Sequence, residues 1–263
     1  MVTHKVFHTM VALAATAWLF ITMAPAHAAL IEGRGNKSEV LIGGDDDNTD
    51  NPEIQPPGTV ANQSLNNADA LDGKGGNDVL IGLLGSDTML GGLGKDILIG
   101  GTEQGVAPNS DIIFGAQGND INIWAPGDGS DAFIGGSGPR DVQIFGVIDR
   151  DADNVPILSD VSSGPHKRTG LPTAEVTNSP GFCTLERVQD PDLGFDFLVR
   201  FFVRSTGALA VTIRVEDVEQ VFCTSEAGGA ITFADLRDYD PQFVEVSLEE
   251  VEQLNGTVAQ IIR

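Results

Sequence analysis

Histidine, cysteine, tyrosine and positive charge are all scarce in this 263-residue chain: four His, two Cys, one Tyr, and 15 Lys and Arg against 38 Asp and Glu, a formal net charge of -23. Beyond His27 the only histidine is His166, with no G-x-S-x-G motif, so a Ser-His-Asp site has no basis. The shortage of cations argues against nucleic acid or an anionic membrane surface as partner. Two cysteines with no nearby His or carboxylate cluster do not make a tetrahedral zinc site. Long apolar runs are scarce as well: the longest, Met10 to Met23, falls short of the ~20 residues of a typical membrane span.

That run has another reading. Lys5 precedes it and Ala26-His27-Ala28 follows, the pattern of a Sec-type signal peptide (residues 1–28) cleaved before Ala29, with an uncleaved anchor as the alternative. Cleavage removes Lys5 and no acid, moving the net charge to -24. The 235 residues left can hold a repeat region and a second compact unit.

Glycine and aspartate are abundant, and they are ordered. Asp69, Asp78, Asp87 and Asp96 fall nine residues apart, and Asp111, Asp120, Asp131 and Asp141 continue the series with insertions at 103–108, around Trp124 and near Pro139. The clearest unit, Gly91-Gly92-Leu93-Gly94-Lys95-Asp96-Ile97-Leu98-Ile99, matches the G-G-x-G-x-D-x-U-x pattern of a calcium-binding parallel β-roll.

A six-residue turn and a three-residue strand per unit make two units one coil, so every second Asp returns to the same side. Two columns are expected: Asp69, Asp87, Asp111, Asp131, and Asp78, Asp96, Asp120, Asp141. Strand spacing sets carboxylates in a column ~4.8 Å apart. Bare charges at about 5 Å repel by ~0.8 kcal/mol in water and by ~3 kcal/mol at an effective dielectric of 20. A cation between coils reverses that sign. Turn glycines accompany each Asp: Gly73, Gly75 and Gly76 before Asp78, Gly82 and Gly85 before Asp87, Gly91, Gly92 and Gly94 before Asp96, Gly100 before Asp111, Gly115 and Gly118 before Asp120, Gly127 and Gly129 before Asp131. They permit backbone angles that aim carbonyl oxygens inward. A site made only of carboxylate and carbonyl oxygens selects a hard ion, Ca²⁺ over Mg²⁺ when ligands are many and flexible. The alternative, glycine-aspartate hairpin turns without metal, is disfavoured by the periodicity.

These residues resemble the repeats-in-toxin (RTX) family of haemolysin-type calcium-binding proteins, over about a third of the chain and most closely from Gly73 to Ile99. The resemblance implies several Ca²⁺ ions held by the Asp side chains and turn carbonyls. It also implies an inward apolar position at Leu71, Leu80, Met89, Leu98, Ile113 and Phe133. Asn122 and Gln143 break that rule, so distorted last coils, or coils without a full site, are expected. The N-terminal export signal departs from the C-terminal signal of many relatives.

The expected fold is all-β dominated: a parallel β-roll solenoid over 64–149, then a linker at 150–180 and a small disulfide-tied β-rich (α+β) domain over 181–263. Residues 29–63 read as a degenerate first coil, with Val40-Leu41-Ile42-Gly43-Gly44 resembling a repeat junction, and a linker containing the acidic run Asp45 to Asn51 and Pro56-Pro57. That acidic run reads as a solvated loop, with a site for an extra ion as the alternative. Val79, Ile81, Ile97, Ile99, Ile112, Phe114, Ile121 and Ile123 flank the inward positions, so one outer face should be covered, most simply by the C-terminal segment. The Pro, Gly and Ser-rich stretch from Asp151 to Pro180, with His166-Lys167-Arg168, reads as an exposed connection. Phe195 to Arg204 and Ala208 to Cys223 read as a hairpin around Ser205-Thr206-Gly207. Ser247-Leu248-Glu249-Glu250 has capping-box spacing, predicting a short helix that stops near Asn255-Gly256. In an exported chain Cys183 and Cys223 are expected to pair.

Paired carboxylates can act as acid and base, yet with so many repeat-placed aspartates a pair means little. The reading is therefore an exported calcium-binding protein, secreted or held at the cell surface or in the periplasm. It would serve as a structural or adhesive component with a cell-surface or matrix ligand as partner. The alternative is a calcium-stabilised secreted hydrolase with its active site in the C-terminal domain, for which no catalytic constellation is recognisable.

Overall fold

Apolar triplets separated by glycine-rich turns give each repeat enough extended chain for one short strand. The computed structural model describes residues 30–43, 69–83, 85–101, 110–151, 155–160 and 169–263. Residues 1–28, the acidic run at 45–51, Pro56-Pro57, the insertion at 103–108 and His166-Lys167-Arg168 lie outside the described residues.

The first ten strands are β1 Leu30–Glu32, β2 Val40–Ile42, β3 Ala70–Asp72, β4 Val79–Leu83, β5 Thr88–Gly94, β6 Ile97–Gly101, β7 Ile112–Gly118, β8 Ile121–Trp124, β9 Ala132–Ser137 and β10 Val142–Phe145. Odd strands pair in the order β1-β3-β5-β7-β9 and even strands in the order β2-β4-β6-β8-β10. Every one of these pairings is parallel. β1 and β2 head the two sheets, with Leu41 beside Leu80 and Ile31 beside Leu71.

Register carries the inward positions through each sheet: Leu71, Met89, Ile113 and Phe133 in one, Leu80, Leu98, Asn122 and Gln143 in the other. Asn122 and Gln143 do not distort their coils. Both are buried: the Asn122 amide group donates to Gln143 Oε1 at 2.8 Å and the Gln143 amide group to the Ile144 carbonyl at 3.1 Å, while Asn122 Oδ1 accepts no hydrogen bond.

The later strands extend both sheets. They are β11 Val147–Ile148, β12 Leu158–Asp160, β13 Thr169–Pro172, β14 Ala174–Glu175, β15 Gly181–Arg187, β16 Phe197–Val203, β17 Ala208–Glu216, β18 Gln220–Thr224, β19 Ile231–Asp235 and β20 Val244–Val246. β17 joins β9 in parallel and β16 and β15 follow it, while β18 joins β10 in parallel and β19 and β20 follow it. The hairpin read over Phe195 to Cys223 is thus shorter. It closes at Glu216, and the chain then crosses to the other sheet as β18. The Cys183–Cys223 disulfide, Cα–Cα 6.1 Å, links β15 to β18 and so ties the two sheets together.

Two apolar layers result. Between the sheets lie Leu71, Leu80, Met89, Leu98, Ile113, Phe133, Trp124, Phe145 and Phe201. Against the outer face of the even-numbered sheet, Val79, Ile81, Ile97, Ile99, Ile121 and Ile123 meet Val155, Leu158, Ala174, Val176, Val251, Val258, Ile261 and Ile262. Each such side chain contributes about 1.5–3 kcal/mol when fully buried. The described part of 151–180 is therefore a cover and not an exposed connection. Its apolar residues, dispersed among Pro and Gly, sit on that sheet. Ile112 and Phe114, on the opposite sheet, stay partly exposed. Ser247 caps the helix Leu248–Leu254 in a complete capping box. Asn255 ends it but also accepts from the amides of Thr257 and Val258, starting a second helix, Gly256–Ile261, that supplies Val258 and Ile261 to the cover.

Candidate metal centre

The repeat aspartates sit just before each strand, where parallel pairing brings equivalent residues of successive coils together. The Asp69 amide donates to Asp87 Oδ1 at 2.7 Å, Asp87 to Asp111 at 2.8 Å and Asp111 to Asp131 at 2.9 Å. In the other column Asp78 donates to Asp96 Oδ1 at 2.8 Å, Asp96 to Asp120 at 2.9 Å and Asp120 to Asp141 at 2.7 Å. These are the two columns that the spacing predicts. All eight carboxylate residues are buried.

The second carboxylate oxygen faces the glycine turn. Oδ2 of Asp78, Asp96, Asp111, Asp120 and Asp141 is inaccessible and accepts no hydrogen bond. A buried carboxylate oxygen left bare is expensive. A Cβ at Gly73 would lie 2.8 Å from Asp78 Oδ2 and 2.5 Å from the Gly91 carbonyl oxygen. At Gly91 the corresponding distances are 2.6 Å to Asp96 Oδ2 and 2.9 Å to the Gly115 oxygen, and at Gly115 they are 2.6 Å to Asp120 Oδ2 and 2.7 Å to the Gly135 oxygen. The opposite edge repeats the arrangement: Gly43 with Asp69 and the Gly82 oxygen, Gly82 with Asp87 and the Gly100 oxygen, Gly100 with Asp111. Only glycine leaves the oxygens of adjacent coils free to face one another.

The glycines farther along the turns have a packing role. A Cβ on Gly94, whose φ is 140°, would lie 1.5 Å from the Gly76 oxygen, and Gly118 stands in the same relation to Gly94. Gly75 bridges to Leu93 and Asn36 in the neighbouring coils. Gly85 and Gly92 take positive φ, 121° and 105°. Gly127 and Gly129 do not join a column: they lie in the enlarged turn after Trp124, where the Gly129 oxygen accepts from the Trp124 indole at 3.0 Å.

Burial dominates the electrostatics. It pushes the carboxyls of Asp78 and Asp141 up to about 7, Asp96 to about 6, Asp111 to about 7 and Asp120 to about 8, against the amide hydrogen bond that pulls each of them down. Like-charged neighbours in the column add to the rise at Asp78 and Asp120. Among the described residues no three acidic, His or Cys side chains converge as a ligand group. A cation here would need carboxylates from consecutive coils plus backbone carbonyls, an all-oxygen set suited to a hard divalent ion.

Several residues were not legible as part of the columns. Glu39, just before β2, donates its amide to Asp78 Oδ1 at 2.7 Å and so heads the second column. Glu219, just before β18, closes it by accepting the Asp141 amide on Oε2 at 2.7 Å. For Glu39 the signal was the sequence Glu39-Val40-Leu41-Ile42-Gly43, parallel to Asp78-Val79-Leu80-Ile81-Gly82. Asp128 is buried in the turn after Trp124. Burial pushes it up to about 8 while the Arg150 guanidinium, 3.5 Å away, pulls it down.

Among the described residues no helix is long and apolar enough to cross a membrane. No protein-family model matches this chain, and no curated protein is significantly similar to it.

Proposed function

We propose that this chain is an exported calcium-binding protein of the repeats-in-toxin kind, whose nonapeptide units form a β-roll ordered by Ca²⁺, serving as a structural or adhesive component of an envelope or matrix. One observation carries the reading: the carboxylates of Asp78, Asp87, Asp96 and Asp120 each spend one oxygen on the amide of the preceding coil and turn the other, buried, toward a glycine edge lined by the next coil's carbonyl. Asp69, Asp78, Asp87, Asp96, Asp111, Asp120 and Asp141, with carbonyls of Gly82, Gly91, Gly100, Gly115 and Gly135, would hold the ions. The cation would supply positive charge between carboxylates that otherwise repel. The Cys183–Cys223 bridge fits an oxidising compartment, as the signal-like N-terminus requires. Affinities near the ~10⁻⁴ to 10⁻³ M of extracellular calcium modules are expected. Circular dichroism of chelator-stripped protein tests the reading: β signal should grow on adding Ca²⁺ and collapse again with chelator, and a spectrum indifferent to both would reject it.

A further inference from the structure

The loop Asp217-Val218-Glu219, between β17 and β18, stands where a repeat turn would stand. β17 pairs with β9 in register Glu216 to Ile134, and β18 pairs with β10 in register Gln220 to Val142. Asp217 therefore follows β17 as Gly135 follows Ile134, and Glu219 precedes β18 as Asp141 precedes β10.

The oxygens follow the same rule. Gly73, Gly91 and Gly115 each face the Oδ2 of the Asp ahead of the next strand and a glycine carbonyl from the next coil. At Gly135 a Cβ would lie 2.9 Å from Asp141 Oδ2 and 2.1 Å from the carbonyl oxygen of Asp217. Asp217 takes a left-handed turn conformation, φ 50°, which Gly73, Gly91, Gly115 and Gly135 do not share. Glu219 Oε2 accepts the Asp141 amide as each repeat Oδ1 accepts the amide one coil back. Asp141 itself has no exposed surface, and its Oδ2 lacks a hydrogen-bond partner. The guanidinium whose charge acts on Glu219, that of Arg237, is held by Asp235 through bonds of 2.8 and 2.5 Å.

We propose that a divalent cation site is shared between the last repeat and the C-terminal strands, with Asp141, Glu219 and the Asp217 carbonyl as ligands. This rests on the calcium reading of the repeats and extends it to a turn that carries no repeat motif. The ion bound there fastens β17 and β18 to the repeat strands, so docking of the C-terminal strands depends on calcium.

The test counts calcium ions bound to the full chain by equilibrium dialysis, for the unaltered protein, Glu219→Gln and Asp96→Asn. Gln at 219 retains an acceptor for the Asp141 amide and loses the charge. Glu219→Gln should remove one ion, or weaken one by at least the roughly 10-fold that even outer partners of a metal ligand command, with the other ions unchanged. No calcium on the unaltered protein would overturn the calcium reading itself. Ion loss in Asp96→Asn with none in Glu219→Gln would overturn the shared site and leave the repeats as calcium ligands. Should Glu219→Gln fail to fold in saturating calcium, terbium-soaked crystals of the unaltered protein decide: an anomalous peak among Asp141, Asp217 and Glu219 supports the site, and peaks in the repeat turns with none there overturn it.

Discussion

Trp124 packs 5.4 Å from Phe145, ring centre to ring centre, at the position after the strand triplet that Gly100 holds one coil earlier. Phe201 closes the group, 4.9 Å from Trp124. The two edges thus diverge. One keeps its glycines through Gly73, Gly91, Gly115 and Gly135, and the other exchanges them after Gly100 for an aromatic cluster. Trp124→Ala should lower stability by about 3–5 kcal/mol, the usual loss for a large buried aromatic. It should leave the ions along the Asp78 to Asp141 column in place. Urea unfolding with parallel calcium counting checks both, and a drop in bound calcium with little loss of stability would show that Trp124 supports the ion column and not the core.

Asp96 separates ligand from decoration. Asp96→Asn keeps an acceptor for the Asp78 amide but removes charge from the best-matched turn, and should weaken calcium binding by at least about 10-fold at the adjoining sites. Asp50→Ala, in the irregular acidic run, should leave the titration unchanged. Equal responses from the two would count against the repeat assignment.

Glycine substitutions distinguish crowded turns from open ones. Gly91→Ala drives a methyl group toward Asp96 Oδ2 and the Gly115 carbonyl, and should destabilise by about 1–3 kcal/mol. Gly256→Ala, with no atom within 4 Å of the added Cβ, should be neutral or stabilising by about 0.4–1 kcal/mol. Thermal unfolding of both variants gives the comparison, which fails if Gly91→Ala is as harmless as Gly256→Ala.

The aspartate series, with two turn-and-strand units to a coil, was enough to assign both carboxylate columns, because the insertions lengthen turns without changing which Asp alternates with which. The inward apolar series and the Ser247 capping box were equally legible. What was hidden depends on tertiary pairing. Glu219 precedes β18 as Asp141 precedes β10, but no glycine marks that turn. Asn122 and Gln143 break the apolar series, and the hydrogen bond that joins them across neighbouring strands depends on register that the sequence does not display. The cover formed by Val155, Leu158, Ala174 and Val176 lacks any helical or strand period, so composition read it as loop. Asn255 could be read as a stop, since the same side chain that follows one helix caps the next.

The disulfide should act on stability and not on metal. Closing a separation of 40 residues contributes about 4 kcal/mol on the chain-entropy model. Replacing both Cys183 and Cys223 by Ser should lower the unfolding free energy by that order while calcium still binds. Loss of all calcium binding in the variant would mean that the columns depend on the bridge.

Proton and cation compete for the same oxygens. Burial raises Asp78, Asp96, Asp111, Asp120 and Asp141 from 3.8 to between about 6 and 8 in the folded, cation-free chain. A raised folded value stabilises the fold fully below the unfolded value near 4, and that contribution is lost as pH climbs through 6 to 8. Chelator-stripped protein should therefore lose resistance to urea from pH 5 to pH 8, and saturating Ca²⁺ should restore it most at pH 8. A cation-free midpoint that rises over that interval would contradict the electrostatic account.

Calorimetric titration of chelator-stripped full chain with Ca²⁺ at neutral pH, repeated with Mg²⁺, bears most directly on the central claim. The carboxylate columns predict several Ca²⁺ ions per chain with weak or absent response to Mg²⁺. No saturable calcium heat, or equal binding of both ions, would contradict it.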